Sequence, residues 1–421
     1  MTTAPVVIDN GSYEIKFGYG VTEQPYRALN ALARDKFGNS YLSNQIKNIK
    51  DISSVTFKRP HEFGQLTSWE LESLIWDYCL YNPNEFNGFD IKETKGKDLI
   101  ASETCMTIPE LSKNMDQVVF EEYEFESFFK SPAASFVPFG DSSTVATREI
   151  YGKGNTKDPK TYVAKSSNAY EPFQLIIDSG FNCTWIIPMV KGIPYYKAVK
   201  KLDIGGRFLN GLLKETLSFR HYNVMDETIL VNNIKEKCLF MSPISYFDSF
   251  KNKETTSVEY ILPDFQTSLL GYVRPREQIL PPESQTIKLH DELFSVPETF
   301  FHPEIAQLLK PGLIESILES ISIVPEPLRP LIVSNIVCIG GNFNLPHFAP
   351  RLATELQRQL PTDYSCRVTV PLRDCELYAW HSMSRFSQTD NYRSARVSRQ
   401  EYYEHGAEWC TRNKFGYQCW I

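Results

Sequence analysis

The sequence predicts an α/β fold in which two similar domains face each other across a cleft. Two apolar strands end in the same device. Residues 6–12 read Val-Val-Ile-Asp-Asn-Gly-Ser, and residues 175–180 read Leu-Ile-Ile-Asp-Ser-Gly. Each is followed by a returning strand, at residues 14–18 and 184–190. The copies lie about 170 residues apart, the spacing of a duplicated domain. Elsewhere strands alternate with helices, the pattern of α/β architecture. A strand followed by Asp-x-Gly is also an ordinary hairpin turn, so the repeat alone leaves that reading open.

Taken in order, residues 66–80 place Leu66, Trp69, Leu71, Ile75, Trp76 and Leu80 at helical spacing, which predicts an amphipathic helix. Residues 99–103 are a short strand. Residues 109–120 begin helix-like and end in Val118-Val119-Phe120. Residues 140–172 are polar, rich in Ser, Thr, Lys and Gly, and without period; they predict a mobile loop. Residues 205–217 and 226–240 read as helices, the second with Asp226 as its N-cap. Residues 273–285 form a proline-rich loop. Residues 311–321 start a helix with Pro311 at the front. The run Ile336 to Ile339 is a buried strand leading into Gly340-Gly341, and residues 348–360 are a helix.

A length of 421 residues fits two or three domains. The net charge of -7 gives no general attraction to nucleic acid or anionic lipid. None of the nine cysteines forms a Cys-x-x-Cys pair, and the seven histidines include no i, i+4 pair. The cysteines read as buried free thiols of a reducing compartment, and the histidine spacing does not point to a metal site. The chain starts with no signal-like segment and holds no apolar run near the ~20 residues that span a bilayer. The expectation is a cytosolic or nuclear protein with no membrane contact.

Several stretches, in order, resemble one family. KRPHEFGQLTSWELESLIWDY is similar to the actin segment that closes the second subdomain. FESFFKSPAA, LDIGGRFLNGLL, NIKEK, VPETFFHP and GGNFNLPHFAPRLATELQ each have an actin counterpart. The chain thus resembles the actin superfamily over nearly its whole length. Within it, the tail EYYEHGAEWCTRNKFGYQCWI is similar to that of the sixth class of nuclear actin-related proteins of yeast-like lineage. The resemblance implies the actin/Hsp70/sugar-kinase fold, two duplicated α/β domains in four subdomains around a nucleotide cleft. Residues 1–30, 60–139 and 372–421 would form the outer subdomain 1, and 31–59 subdomain 2. Residues 140–172 would be a mobile insertion. Residues 173–204 and 299–371 would form the inner subdomain 3, and 205–298 subdomain 4 with its proline-rich insertion.

The resemblance also implies a site for ATP and magnesium. Asp9 would hold Mg through water. Gly11, Ser12 and Tyr13 would offer amides to the phosphates, and Lys16 its charge. Asp178, Ser179 and Gly180 form the second turn. Gly206 would lie beside the ribose, Lys235 and Glu236 at the base, and Gly340, Gly341 and Asn342 under the nucleotide. The bland alternatives are a solvated strand lysine for Lys16, a surface charge pair for Lys235-Glu236 and a turn serving only the fold for Gly340-Gly341. Actin differs at telling places: Tyr13 replaces a glycine, Phe181 an aspartate and Asn182 a glycine. Pro138 and Phe139 stand where a glutamine orients water, and residues 377–380 lack a second Gly-Gly. Catalysis of this kind rests on placed polar groups, so ATP binding without turnover is expected.

Membership of that class implies a non-enzymatic subunit of a Swr-type chromatin remodelling complex that exchanges a histone variant and regulates transcription. Its partners would be a HIT-type zinc-finger subunit and a Snf2-type ATPase, with the nucleosome met indirectly and no direct DNA contact. The location would be the nucleus, with the cytoplasm second. Altered loops at residues 27–59 and 260–287 argue against a filament former. An ATPase or sugar kinase of the same fold, and a cytoskeletal filament subunit, are the competing readings. Arg385, Arg393, Arg396 and Arg399, near Tyr392, Tyr402 and Tyr403, read as a solvated helical face; the alternative is a surface for acidic partners.

Overall fold

The structure is a computed structural model. It describes residues 4–415 except 50, 51, 53, 54, 88, 90, 141–144, 153–160, 164–170, 244, 245, 252–256, 265–269 and 276–283. Most of the proline-rich loop and the tail beyond Phe415, with Tyr417, Cys419 and Trp420, lie outside the described residues.

Two large sheets carry the chain. The six-stranded outer sheet runs Val397–Ser398, Ser127–Pro132, Asp98–Glu103, Val6–Asn10, Glu14–Tyr19, Tyr26–Leu29. The inner sheet runs Thr161–Val163, Thr147–Tyr151, Arg367–Pro371, Ile336–Ile339, Phe173–Ser179, Thr184–Val190. Ile193–Pro194 and Lys200–Leu202 also pair with Thr184–Val190. In each sheet an antiparallel hairpin is extended by two parallel neighbours. Val6 pairs with Leu99 and Ser127 with Asp98; Leu175 pairs with Ile336, and Ile336 with Val368. The duplication implied by the sequence is therefore present in topology. It brings both Asp-ended strands to the crevice where their carboxyl ends meet, the ordinary ligand position of such sheets.

The outer and inner halves have separate main cores. Trp76, Phe17 and Phe128 centre the outer one, and Leu213, Phe300 and Phe348 lie in the inner one. A smaller cluster joins them beneath the cleft through Ala134, Val137 and Tyr378 of the outer half and Ile176 and Ile187 of the inner half. Residues 31–59 form a three-stranded sheet, Leu32–Arg34, Ser40–Leu42 and Thr56–Lys58, with a 3-10 turn Ser43–Asn48. Their Ile46, Ile49, Ile52 and Val55 belong to the inner-half apolar cluster.

Several expectations change. The first helix is Trp69–Leu80, because Gln65–Leu66 turns back on His61–Glu62 as a small hairpin. The segment expected as a mobile insertion, 140–172, contains the strand Thr147–Tyr151, whose Ile150 is fully buried against the inner core and which pairs with Arg367–Pro371. Much of the remainder of that segment lies outside the described residues. The helix expected at 226–240 is Thr228–Cys238 with Glu227 at its cap position, one residue past Asp226. The helix expected from Pro311 is Leu313–Ile323, whose cap residue Gly312 donates its N–H to Glu315 Oε2 at 3.1 Å. The residues after Gln117 continue as a wider helical turn, Val118–Glu122, with Val118, Val119 and Phe120 buried. The eight described cysteines are free and buried. Among the described residues no helix is long and apolar enough to cross a membrane.

Candidate functional site

The cleft between the halves holds a cavity of about 430 Å³. It is lined by thirteen of the fourteen residues singled out above: Asp9, Gly11, Ser12, Tyr13, Lys16, Asp178, Gly180, Gly206, Lys235, Glu236, Gly340, Gly341 and Asn342. Ser179 is the exception. It is fully buried, its hydroxyl lies 2.8 Å from Thr184 Oγ1, and it accepts from Asn342 Nδ2 at 3.0 Å. Its role is to hold the second hairpin to the Gly-Gly turn.

Hairpin register sets the deep end. Asp9 and Lys16 are cross-strand partners, so their side chains share a face and Nζ reaches Oδ2 at 3.0 Å. Ser102 Oγ donates to the other Asp9 oxygen at 2.8 Å. Lys16 is thus a buried, paired lysine, not a solvated one. Burial, then the charge of Asp9, pushes the Asp178 carboxyl up to about 7, with Lys16 opposing. Two carboxyl groups and one ammonium therefore face a common space.

The turns are less open to an anion than the sequence suggested. The Gly11 amide donates to Asp9 O at 3.0 Å and the Gly180 amide to Cys183 O at 3.0 Å. The amides of Ser12 and Tyr13 keep no protein acceptor among the described residues. Glycine is required at Gly340, where φ is +96° and a Cβ would come within 2.3 Å of Ser179 O.

The side of the cavity around Lys235 is built on the helix Thr228–Cys238. Lys235 is 8% exposed, and burial lowers its ammonium to about 8. Asn232, one turn earlier, is its organiser. Its Nδ2 donates to Tyr13 Oη at 3.0 Å and to Glu236 Oε1 at 2.8 Å. Its Oδ1 accepts from Lys235 Nζ and Asn210 Nδ2, each at 3.0 Å. Sequence reasoning missed Asn232, although its i+3 and i+4 spacing to Lys235 and Glu236 put all three on one face.

The second missed residue is Arg59. Its guanidinium lies 4.9 Å from the Tyr13 ring centre and 4.7 Å from that of Phe181. One nitrogen donates to the carbonyls of Ser12, Tyr13 and Asn30 at 3.0–3.3 Å. The Tyr13 and Phe181 rings lie 5.0 Å apart. Nothing local marked Arg59, because its contacts join three distant parts of the chain. Phe139 packs on Phe386 at 4.9 Å, away from the cavity lining. Neither Phe181 nor Phe139 can position a water.

Two sheets of one topology, with paired Asp-ended hairpins facing a cleft, define an actin-type nucleotide-cleft protein. The actin family profile matches residues 1–415, and the chain belongs to the actin family, whose domain generally binds ATP with magnesium. It is 68% identical to the Actin-like protein ARP6 of Saccharomyces cerevisiae over an alignment of 438 positions, covering 100% of both chains. It is 64% identical to the Actin-like protein ARP6 of Eremothecium gossypii, covering 99% of each. The Kluyveromyces lactis protein of that name is 59% identical over 100% of each.

The cleft keeps buried polar side-chain atoms that have no partner among the described residues. Asn182 Nδ2 and His61 Nδ1 are buried without a partner, and both residues line the cavity. Buried polar atoms of this kind call for a ligand or water.

Proposed function

We propose that the protein is a non-catalytic actin-related subunit of a nuclear chromatin remodelling complex, acting as an assembly and docking module in histone-variant exchange. In this reading ATP with magnesium occupies the cleft and is not turned over. Lys235, Glu236, Gly206, Gly340, Gly341 and Asn342 would surround the nucleoside. Ser12, Tyr13, Lys16 and Asn182 would face the phosphates, and Asp9 would hold magnesium through water. When bound, the nucleotide supplies charge and contacts to both halves. The protein's own part is to orient and bury it while giving no group to an attacking water.

The observation that carries the non-catalytic reading is the ring of Phe181 packed on Tyr13. Loss of one such polar group costs on the order of 100-fold in rate. Phosphate release from Mg-ATP by the purified monomer tests it. The expected result is no release above buffer; turnover at actin-like rates overturns it. The actin-related part of the reading is supported by the full-length match to the ARP6 proteins of the yeasts, and the remodelling complex is what the resemblance of the tail implies. Docking partners of the expected chemistry are a HIT-type zinc-finger subunit and a Snf2-type ATPase, in the nucleus and secondarily the cytoplasm. Affinity purification of the native protein with mass spectrometry should recover both; recovery of neither overturns that assignment.

A further inference from the structure

We propose that Tyr13, Phe181, Arg59 and Asn232 form a bolt across the mouth of the cleft that holds the two halves together without a nucleotide. A cleft whose halves are bridged only by ligand opens when the ligand leaves. A cleft that stays closed needs protein groups from both sides meeting in the gap, and these residues do so. Tyr13 stands on the first hairpin turn, in the outer half. Phe181 stands on the second, in the inner half, and their rings meet at 5.0 Å. Arg59 leaves the base of the 31–59 sheet and places its guanidinium against both rings, anchored by the carbonyls of Ser12, Tyr13 and Asn30. Among the described residues it has no carboxylate partner, so the rings and carbonyls are what hold its charge.

Asn232 completes the link. Its amide uses both donor and both acceptor positions, and one donor reaches the Tyr13 hydroxyl at 3.0 Å. The first turn is thereby tied to the helix Thr228–Cys238 as well as to the second turn. Phe181 is itself fixed from behind. Its carbonyl accepts from the Arg207 amide at 2.7 Å, and a Cβ on Gly206 would lie 3.2 Å from its ring. Gly206 thus makes room for the ring. A second seam lies below, where Lys201 of the inner half donates to Phe63 O of the outer half at 3.0 Å. The bolt does not depend on whether ATP binds.

Hydrogen–deuterium exchange on the full chain, stripped of nucleotide, tests the bolt. The wild type should protect the bonded amides of the two turns, those of Asn10, Gly11 and Gly180. In Tyr13→Gly/Phe181→Ala, exchange in both turns should rise together by about ten-fold or more, while the strand Ile336–Ile339 and helix Leu313–Ile323 stay protected. Tyr13→Phe, which keeps the ring and removes the link to Asn232, should give a smaller rise in the same turns. Small-angle scattering should show a larger radius of gyration for the double variant alone. Unprotected turns in the nucleotide-free wild type would overturn the proposal. So would turns unchanged in Tyr13→Phe with the double variant either unchanged or exchanging equally everywhere. The phosphate-release assay answers a separate question, so the two readings fail separately.

Discussion

Behind the first turn sits Glu72, fully buried, with Oε1 accepting from Asn30 Nδ2 at 3.3 Å. The same Asn30 amide nitrogen donates to Gly11 O at 3.1 Å, so this carboxyl group backs the first turn. Burial pushes Glu72 from 4.5 up to about 7, against the hydrogen bonds from its neighbours. The folded state therefore holds this proton more tightly than the unfolded one. Its contribution is fully present below about pH 4.5 and is lost as pH rises through about 7. Glu72→Gln removes that dependence. Relative to the wild type it should gain stability between pH 4 and pH 8 by on the order of 3 kcal/mol, read by urea unfolding at each pH. A pH-independent difference would contradict this. The tail arginines resolve at the same scale. Arg393 pairs with Asp390 at 3.0 Å, Arg396 pairs with Asp98, and Arg399 donates to Glu124 O at 3.4 Å. Arg396 and Arg399 thus tie the tail to Asp98 and Glu124, while the Arg393 pair is exposed, as a solvated face would be.

Among the elements, the helix Pro109–Gln117 and the strand Ser127–Pro132 are joined by one buried ion pair. Lys130 lies 2.5 Å from Asp116 and donates to Ser112 O at 2.6 Å, with both charged side chains fully buried. Burial outweighs the lysine and raises Asp116 to about 6. Lys130→Ala leaves an uncompensated carboxyl and should cost about 3–5 kcal/mol, while Lys130→Met/Asp116→Leu should recover most of that loss. Thermal denaturation of both variants checks it; equal losses would show that packing rather than charge decides. Most elements were legible because their signals are local: an apolar run ended by Asp at residues 6–9, helical period at 69–80, a glycine pair after a buried strand. The strand Thr147–Tyr151 was not, because its polar neighbours hid five residues whose partner lies more than 200 positions later. The same limit applies to the cleft. Residues in recognisable turns could be placed, whereas Arg59 and Asn232 gain meaning only when distant segments meet.

At the scale of the molecule, the described residues of 31–59 do not offer a long free grip. Their small sheet and 3-10 turn bury Ile46, Ile49, Ile52 and Val55 in the apolar cluster of the inner half. With that region committed to the protein's own interior and the halves bolted, the chain should stay monomeric. After addition of salt and magnesium it should remain in the supernatant at speeds that sediment filaments; a salt-dependent pellet would contradict this. The eight described thiols are all enclosed, and two of them, Cys105 and Cys183, border the cleft. Burial also raises both away from the thiolate form. The protein therefore carries its own reporters. An alkylating reagent would mark these two sulfurs when the jaws part, ahead of those sealed under the sheets, and the order of labelling would time the opening from within.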